Sequence, residues 1–305
     1  MREKIFGLCV KISTFASLVT LTGMDNGKDY DIKPDVLSYE DICQLAPFFK
    51  GKEKLVNFLF KLLSIDKVNG LHRRHCHTPG PGFVAGMLEE MNIKLDIRGQ
   101  ERLDNLPQGA FVTVSNHTFG ALDGIILIHM IASRRPEFKV MVNMVLNYIS
   151  AMRPNFIAVD ALVTDDPKKR AVSMKGIREA MTQVRSGNPL GFFPAGAVGK
   201  FGRNLRIEDR KWQPTIMRLI QQFKVPVIPI YFHGHNSWWF NFLGVVSWQL
   251  RTLRLPAEVF RMKSATFRIS VGEAISPQEI AEHPDVDELG EFLKAKTYSM
   301  RKWKK

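Results

Sequence analysis

The sequence predicts an α/β domain built on a mixed sheet flanked by helices, with an N-terminal amphipathic helical segment, and three observations carry that prediction. Short apolar runs of strand length alternate with stretches of helical periodicity from residue 93 onward. A basic amphipathic helix precedes them. The composition, 45% hydrophobic and 24% charged over 305 residues, lies in the ordinary globular range and excludes a largely disordered chain.

Residues 1–50 read as an N-terminal extension. Within it, residues 1–23 are apolar but broken by Lys4 and Lys11, so the uninterrupted run of about 20 residues that a spanning helix needs is absent. No clear small-residue cleavage site follows. Two readings stay open: a mis-called start with Met24 as the true initiator, or a short anchor lying on a membrane.

Residues 51–92 form the amphipathic segment. Over 52–65 the residues Leu55, Val56, Leu59, Phe60, Leu62 and Leu63 recur at helical spacing, with Lys52, Lys54 and Lys61 between them. Such a helix either packs on the domain or lies in a bilayer interface with its lysines near anionic headgroups. The run His72-Arg73-Arg74-His75-Cys76-His77 has ligand types that suit zinc, but it lacks a second pair at a distance and reads as a solvated basic helix end. Gly80-Pro81-Gly82 is a turn.

The main domain spans 93–305. Strands are predicted at 93–97, 110–114, 139–145, 190–193, 227–232 and 266–271. A helix is predicted at 166–185, where Asp165 or Asp166 caps it, Pro167 suits its first turn and Gly187 lies just past its end. Another is predicted at 212–223. Ser276-Pro277-Gln278-Glu279 is a capping box opening the C-terminal helix. Residues 225–250 contain no charged side chain, yet Pro226, Pro229, His233, Gly234, His235 and Asn236 rule against a span, which leaves a buried strand followed by a loop. The loop aromatics Trp238, Trp239, Phe240 and Phe242 suit either a bilayer interface or a satellite core cluster. The basic ending 301–305 reads as a frayed tail or a headgroup contact.

The net charge of +13 calls for acidic partners: nucleic acid, anionic lipid or an acidic carrier protein. No nucleic-acid motif accompanies the charge, and the aromatics cluster in a separate apolar stretch, so nucleic acid is excluded. Cys9, Cys43 and Cys76 are odd in number and scattered, which fits a reducing compartment and neither a disulfide framework nor a zinc site.

Chemistry centres on Ser115-Asn116-His117-Thr118-Phe119-Gly120-Ala121-Leu122-Asp123-Gly124. A histidine at the C-terminal end of a strand, with an aspartate shortly after it in a glycine-containing loop, suits a general base whose ring the acid orients. Taken alone, such a pair is more often structural.

Three further blocks change its meaning: Phe156-Ile157-Ala158-Val159-Asp160, Phe193-Pro194-Ala195-Gly196 and Val225-Pro226-Val227-Ile228-Pro229. Their order resembles the glycerophospholipid acyltransferase superfamily, which includes bacterial 1-acylglycerol-3-phosphate acyltransferases, over roughly residues 95–275. That resemblance implies His117 as base, Asp123 as its orienting acid, and Asn116, Phe193, Pro194 and Gly196 as substrate-binding residues. It implies no cofactor and no metal. An acyl-acyl carrier protein or acyl-CoA serves as co-substrate, and a lysolipid is the acceptor.

Two departures stand out. Five residues, against four in the family, separate His117 from Asp123, so the chain must bulge, with Gly120 the flexible position. The family's third-block glutamate is replaced by Ala195, and the following arginine is absent. With the run Phe232-His233-Gly234-His235-Asn236-Ser237, these departures resemble the subgroup that O-acylates lyso-aminolipids such as lyso-ornithine and lyso-glycine lipids. A carboxylate headgroup there needs a cation, for which Lys200 and Arg203 are the candidates. The resemblance places the protein as a monotopic enzyme on the cytoplasmic membrane face, with an acyl carrier protein and anionic lipids as partners. Phosphatidic acid formation and a silent lipid-binding protein are the rival readings.

Overall fold

The structure, a computed structural model, describes residues 31–159, 167–202 and 207–303. The expectations for residues 1–23, for Asp165 or Asp166 as a cap and for Arg203 lie outside those residues, as do Asp160, Lys304 and Lys305.

A seven-stranded sheet, ordered β1-β9-β8-β2-β5-β3-β4, forms the middle layer. Its strands are β1 (Lys94–Arg98), β2 (Val112–Ser115), β3 (Lys139–Asn143), β4 (Phe156–Val159), β5 (Leu190–Phe192), β8 (Val227–His233) and β9 (Thr266–Val271). β8 and β9 run antiparallel, and the other neighbouring pairs are parallel, so the sheet is mixed as predicted. A separate hairpin joins β6 (Lys200–Phe201) to β7 (Ile207–Glu208).

Parallel strands are covered on both faces, and the residues divide accordingly. Val112, Val114 and Val227 enter one core with the helices Pro167–Arg185, Pro214–Phe223 and Val286–Ser299. Ile228, Ile230 and Phe232 of β8 enter the other, with the helices Ile65–His75, Pro81–Glu90 and Ala121–Ala132. Ile126, Ile128 and Ile131 are fully buried there, each side chain contributing roughly 1.5–3 kcal/mol of transfer free energy. A smaller cluster of Leu37, Ile42, Phe49, Val56, Leu59 and Phe60 holds the helices Tyr39–Leu45 and Glu53–Leu62.

Several elements differ from the sequence reading. The chain from Ala121 to Ala132 is a helix, so Asp123 sits in its first turn and not in a loop. The stretch after β8 is also helical, as Trp238–Val246 and Trp248–Arg261, capped by the side chains of Ser237 and Ser247. The Ser276 box caps only the short helix Pro277–Ala281, and the C-terminal helix starts anew after Asp285.

His72 is buried and not solvated: its Nδ1 donates to the Pro34 carbonyl at 3.0 Å, and its Nε2 accepts from the Ala151 N–H at 3.3 Å. Burial pushes its pKa below the ordinary value. The ending is not frayed at Trp303, whose ring lies 4.8 Å from the Arg98 guanidinium and meets the His233 ring edge-on. No helix among the described residues is long and apolar enough to cross a membrane.

Candidate active site

The C-terminal ends of parallel strands are where open α/β sheets bind ligands, because the following loops converge there. β2 ends at Ser115 and delivers Asn116 and His117 to that edge; β5 delivers Phe193, and β8 delivers His233.

His117 Nδ1 and Asp123 Oδ2 lie 3.0 Å apart. Asp123 is fully buried, and its Oδ2 also accepts the N–H groups of Phe119 at 2.8 Å and Gly120 at 3.1 Å. A carboxylate accepting from Nδ1–H fixes the tautomer in which Nε2 carries the lone pair, which is the state a general base requires. The Phe193 ring packs against the imidazole with centroids 4.6 Å apart.

The extra residue of this block is absorbed at Gly120, which has φ +75° and precedes the Ala121–Ala132 helix. A Cβ there would lie 2.9 Å from Leu255 Cδ2 and 3.3 Å from Val198 Cγ2. The bulge expected at this glycine is therefore a tight turn with positive φ, pressed against two neighbours.

The main chain of His117 is held from the opposite side. Its N–H donates to Asp209 Oδ1 at 3.0 Å, and its carbonyl accepts from the Gly199 N–H at 2.8 Å. Asp209 is buried and also accepts from Trp212 Nε1 at 3.3 Å, while its own N–H donates to the Tyr298 hydroxyl at 3.2 Å. Burial raises the Asp209 pKa above the usual carboxylate value. In the sequence Asp209 stands among Arg206, Glu208, Arg210 and Lys211, a basic stretch that reads as a surface drawing an acidic carrier protein or an anionic bilayer. Only an aspartate next to a tryptophan three positions on hinted otherwise.

Asn116 has a positioning part in place of the expected substrate contact. It is fully buried, its Nδ2 donates to the Phe232 carbonyl at 2.9 Å and its Oδ1 accepts the Phe232 N–H at 2.7 Å. Pro194 is buried, with its carbonyl accepting from the Gln213 N–H at 2.9 Å. Gly196 has φ +66°, and its N–H closes a turn onto the Phe193 carbonyl at 2.9 Å, so it is not a free oxyanion donor. Lys200 is exposed and stands opposite Glu208 in the β6–β7 hairpin. Buried Arg251 donates to the Gly199 carbonyl at 3.2 Å.

A cavity of about 400 Å³ opens beside this segment, lined by Thr118 and by side chains from β8, the Trp238–Val246 helix and the end of the C-terminal helix.

The family model described as Acyltransferase matches residues 36–304. The chain belongs to that family. It is 25% identical over 254 residues to a lyso-glycine lipid O-acyltransferase of Bacteroides thetaiotaomicron, covering 81% of this chain and 89% of that protein. It is 23% identical over 254 residues to a lyso-glycine lipid O-acyltransferase of Phocaeicola vulgatus, covering 81% and 87%. Among solved structures, the 1-acyl-sn-glycerophosphate acyltransferase of Thermotoga maritima matches with a TM-score of 0.42 at 13% identity, covering 72% of this chain and 80% of that one.

Within this acyltransferase, Ala195 is buried where the resemblance expected a glutamate. The Gln213 N–H bonds the Pro194 carbonyl of this turn, and Arg251 ties down the Gly199 carbonyl just after it.

Proposed function

We propose that this acyltransferase transfers a fatty acyl group from an acyl thioester to the hydroxyl of a lysolipid at a membrane surface, with a lyso-aminolipid such as lyso-glycine or lyso-ornithine lipid as acceptor. The observation that carries the reaction type is the His117–Asp123 contact at 3.0 Å, which leaves Nε2 as the basic nitrogen. The names of the two curated relatives support the acceptor class.

Nε2 of His117 takes the proton of the acceptor hydroxyl as its oxygen attacks the thioester carbonyl. Asp123 holds the ring and stabilises the imidazolium that forms. The tetrahedral adduct collapses, the carbon–sulfur bond breaks, and the imidazolium returns its proton to the leaving sulfur. No enzyme nucleophile takes part, because the acceptor brings its own.

Exposed apolar side chains support work at a lipid surface. Trp239 is 52% exposed and Val245 69%, beside Val246, and Phe58 and Leu62 project from the amphipathic helix Glu53–Leu62. The cytoplasmic membrane face is the site of action, acyl carrier protein is the donor and coenzyme A the alternative. The excess of 13 positive charges favours both an acidic carrier and anionic lipids.

Purified protein supplied with acyl carrier thioester and either lyso-glycine lipid or 1-acylglycerol 3-phosphate, with products resolved by mass spectrometry, tests this reading. The expected product is the diacylated aminolipid. Product from the glycerol phosphate alone would overturn the acceptor assignment.

A further inference from the structure

The C-terminal helix Val286–Ser299 touches residues 209–211 at three points, one or two turns apart. Asp287 pairs with Lys211 at 2.9 Å, Lys294 donates to the Arg210 carbonyl at 3.5 Å, and the Tyr298 hydroxyl accepts the Asp209 N–H at 3.2 Å. The first two contacts are exposed, so water and salt screen them and they fix little. The third is partly buried and leads inward, because Asp209 Oδ1 takes the His117 N–H at 3.0 Å.

Residues 209–213 belong to no helix or strand, and the hairpin before them pairs only two residues on each side. The Asp209 N–H therefore has no ladder to hold it, and the Tyr298 hydroxyl is its partner. A carboxylate can fix His117 only as firmly as its own main chain is fixed.

Tyr298 suits such a hold. Its ring meets the Tyr231 ring edge-on with centroids 5.3 Å apart, and the Lys294 ammonium lies 5.9 Å from its centre, so the ring is placed by packing before any hydrogen bond is counted. Burial, and then the Asp209 charge, push its pKa above the ordinary tyrosine value. It stays a neutral phenol whose oxygen accepts.

We infer that Tyr298 is a positioning residue for acyl transfer: through Asp209 it sets the place of the His117 main chain, and the last turn of the C-terminal helix belongs to the active site. The inference rests on the reaction proposed above, with His117 as base, and adds to it a residue that touches neither the imidazole nor Asp123.

The test uses the purified full-length protein with acyl carrier thioester and either lyso-glycine lipid or 1-acylglycerol 3-phosphate, and the variants are compared on whichever acceptor wild type turns over. For each, kcat, KM and the melting temperature are measured. Tyr298→Phe deletes only the hydroxyl and keeps the ring on Tyr231. It should lower kcat by about five- to tenfold, less than Asp209→Ala because the carboxylate itself remains, with KM at the wild-type value. In the Asp209→Ala background the same substitution should leave kcat unchanged, since the route to His117 is already cut. Phe292→Leu loosens the same helix elsewhere, where the ring stacks on His283 with centroids 4.1 Å apart, and it should lower the melting temperature without lowering kcat.

Wild-type kcat in Tyr298→Phe, an undiminished further loss in the Asp209→Ala background, or an equal kcat loss in Phe292→Leu would each overturn the inference and leave the reaction standing. So would a raised KM at unchanged kcat, which would make Tyr298 a contact for whatever enters the cavity it lines. If wild type acylates neither acceptor, the proposed reaction falls and this inference with it.

Discussion

The Asp209 carboxylate grips the backbone N–H of His117 at 3.0 Å, so the strand end that carries His117 is fixed by a residue 92 positions away in the chain. Replacing Asp209 with Ala strands that N–H and the Trp212 indole N–H, at about 1–3 kcal/mol each. The expected result is a lower melting temperature together with a kcat loss on the order of 10²-fold, the scale of a small misplacement of a catalytic group. KM should change little. A variant with wild-type kcat would show that His117 keeps its place without this contact.

Asp123 gives a sharper case. Its Oδ2 accepts three hydrogen bonds, one of them from the imidazole, so Asp123→Asn presents an amide that can donate to Nδ1 and favour the wrong tautomer. Acyl transfer should fall by roughly 10³- to 10⁴-fold, close to the loss from His117→Ala, while circular dichroism stays native. Activity of Asp123→Asn within tenfold of wild type would remove Asp123 from the role of orienting acid, and the same result for His117→Ala would remove His117 from the role of base.

Gly120 and Gly187 separate backbone strain from crowding. Both have positive φ, +75° and +83°, but a Cβ on Gly187 meets nothing within 4 Å, whereas one on Gly120 meets Leu255 and Val198. Gly187→Ala should cost only the left-handed penalty of about 1–2 kcal/mol. Gly120→Ala should cost more and also lower kcat, because the turn sets the distance from His117 to Asp123. Equal melting temperatures and equal activities for the two variants would contradict this.

The strands and the His117–Asp123 pair were legible because short apolar runs and a strand-end histidine need only local pattern. The Ala121–Ala132 helix was not: with Leu122 and all of Gly124 to Ile128 buried, it shows no polar face from which to read a 3.6-residue period. The helix Trp238–Val246 hid because its exposed face, with Trp239, Val245 and Val246, is as apolar as its buried one, though Ser237 was a cap signal in plain view. Asp209, Asn116 and Arg251 act through partners far away in sequence, Phe232 lying 116 positions from Asn116, and no local spacing encodes such a pairing.

The proposed membrane attachment should be separable from the chemistry. Trp239 and Val246, 52% and 61% exposed, lie outside the His117 site and outside the cavity wall. The double substitution Trp239→Ser with Val246→Ser should reduce co-sedimentation with vesicles containing anionic lipid, since each buried apolar side chain contributes roughly 1.5–3 kcal/mol. Turnover of a detergent-dispersed acceptor should remain near wild type. Unchanged vesicle binding would move the attachment surface elsewhere, with Phe58 and Leu62 the next face to test.

His233 makes stability depend on pH with a definite sign. Its ring accepts or donates at 2.8 Å to Ser270 Oγ and packs on Tyr231 and Trp303, and burial with Arg98 and Arg268 lowers its pKa from 6.5 to about 4. Between those two values the unfolded chain binds a proton that the folded chain refuses. Stability therefore rises with pH across this window, and it is lost as the solution is acidified from about 6.5 to about 4. His72 and His129, whose pKa values burial also lowers, add to the same slope. His233→Gln removes one titrating group while keeping a side chain able to reach Ser270. Thermal melts between pH 4 and pH 7 should show a shallower acid decline for the variant than for wild type. Parallel curves would mean that His233 takes up its proton as readily in the folded protein as in the unfolded chain.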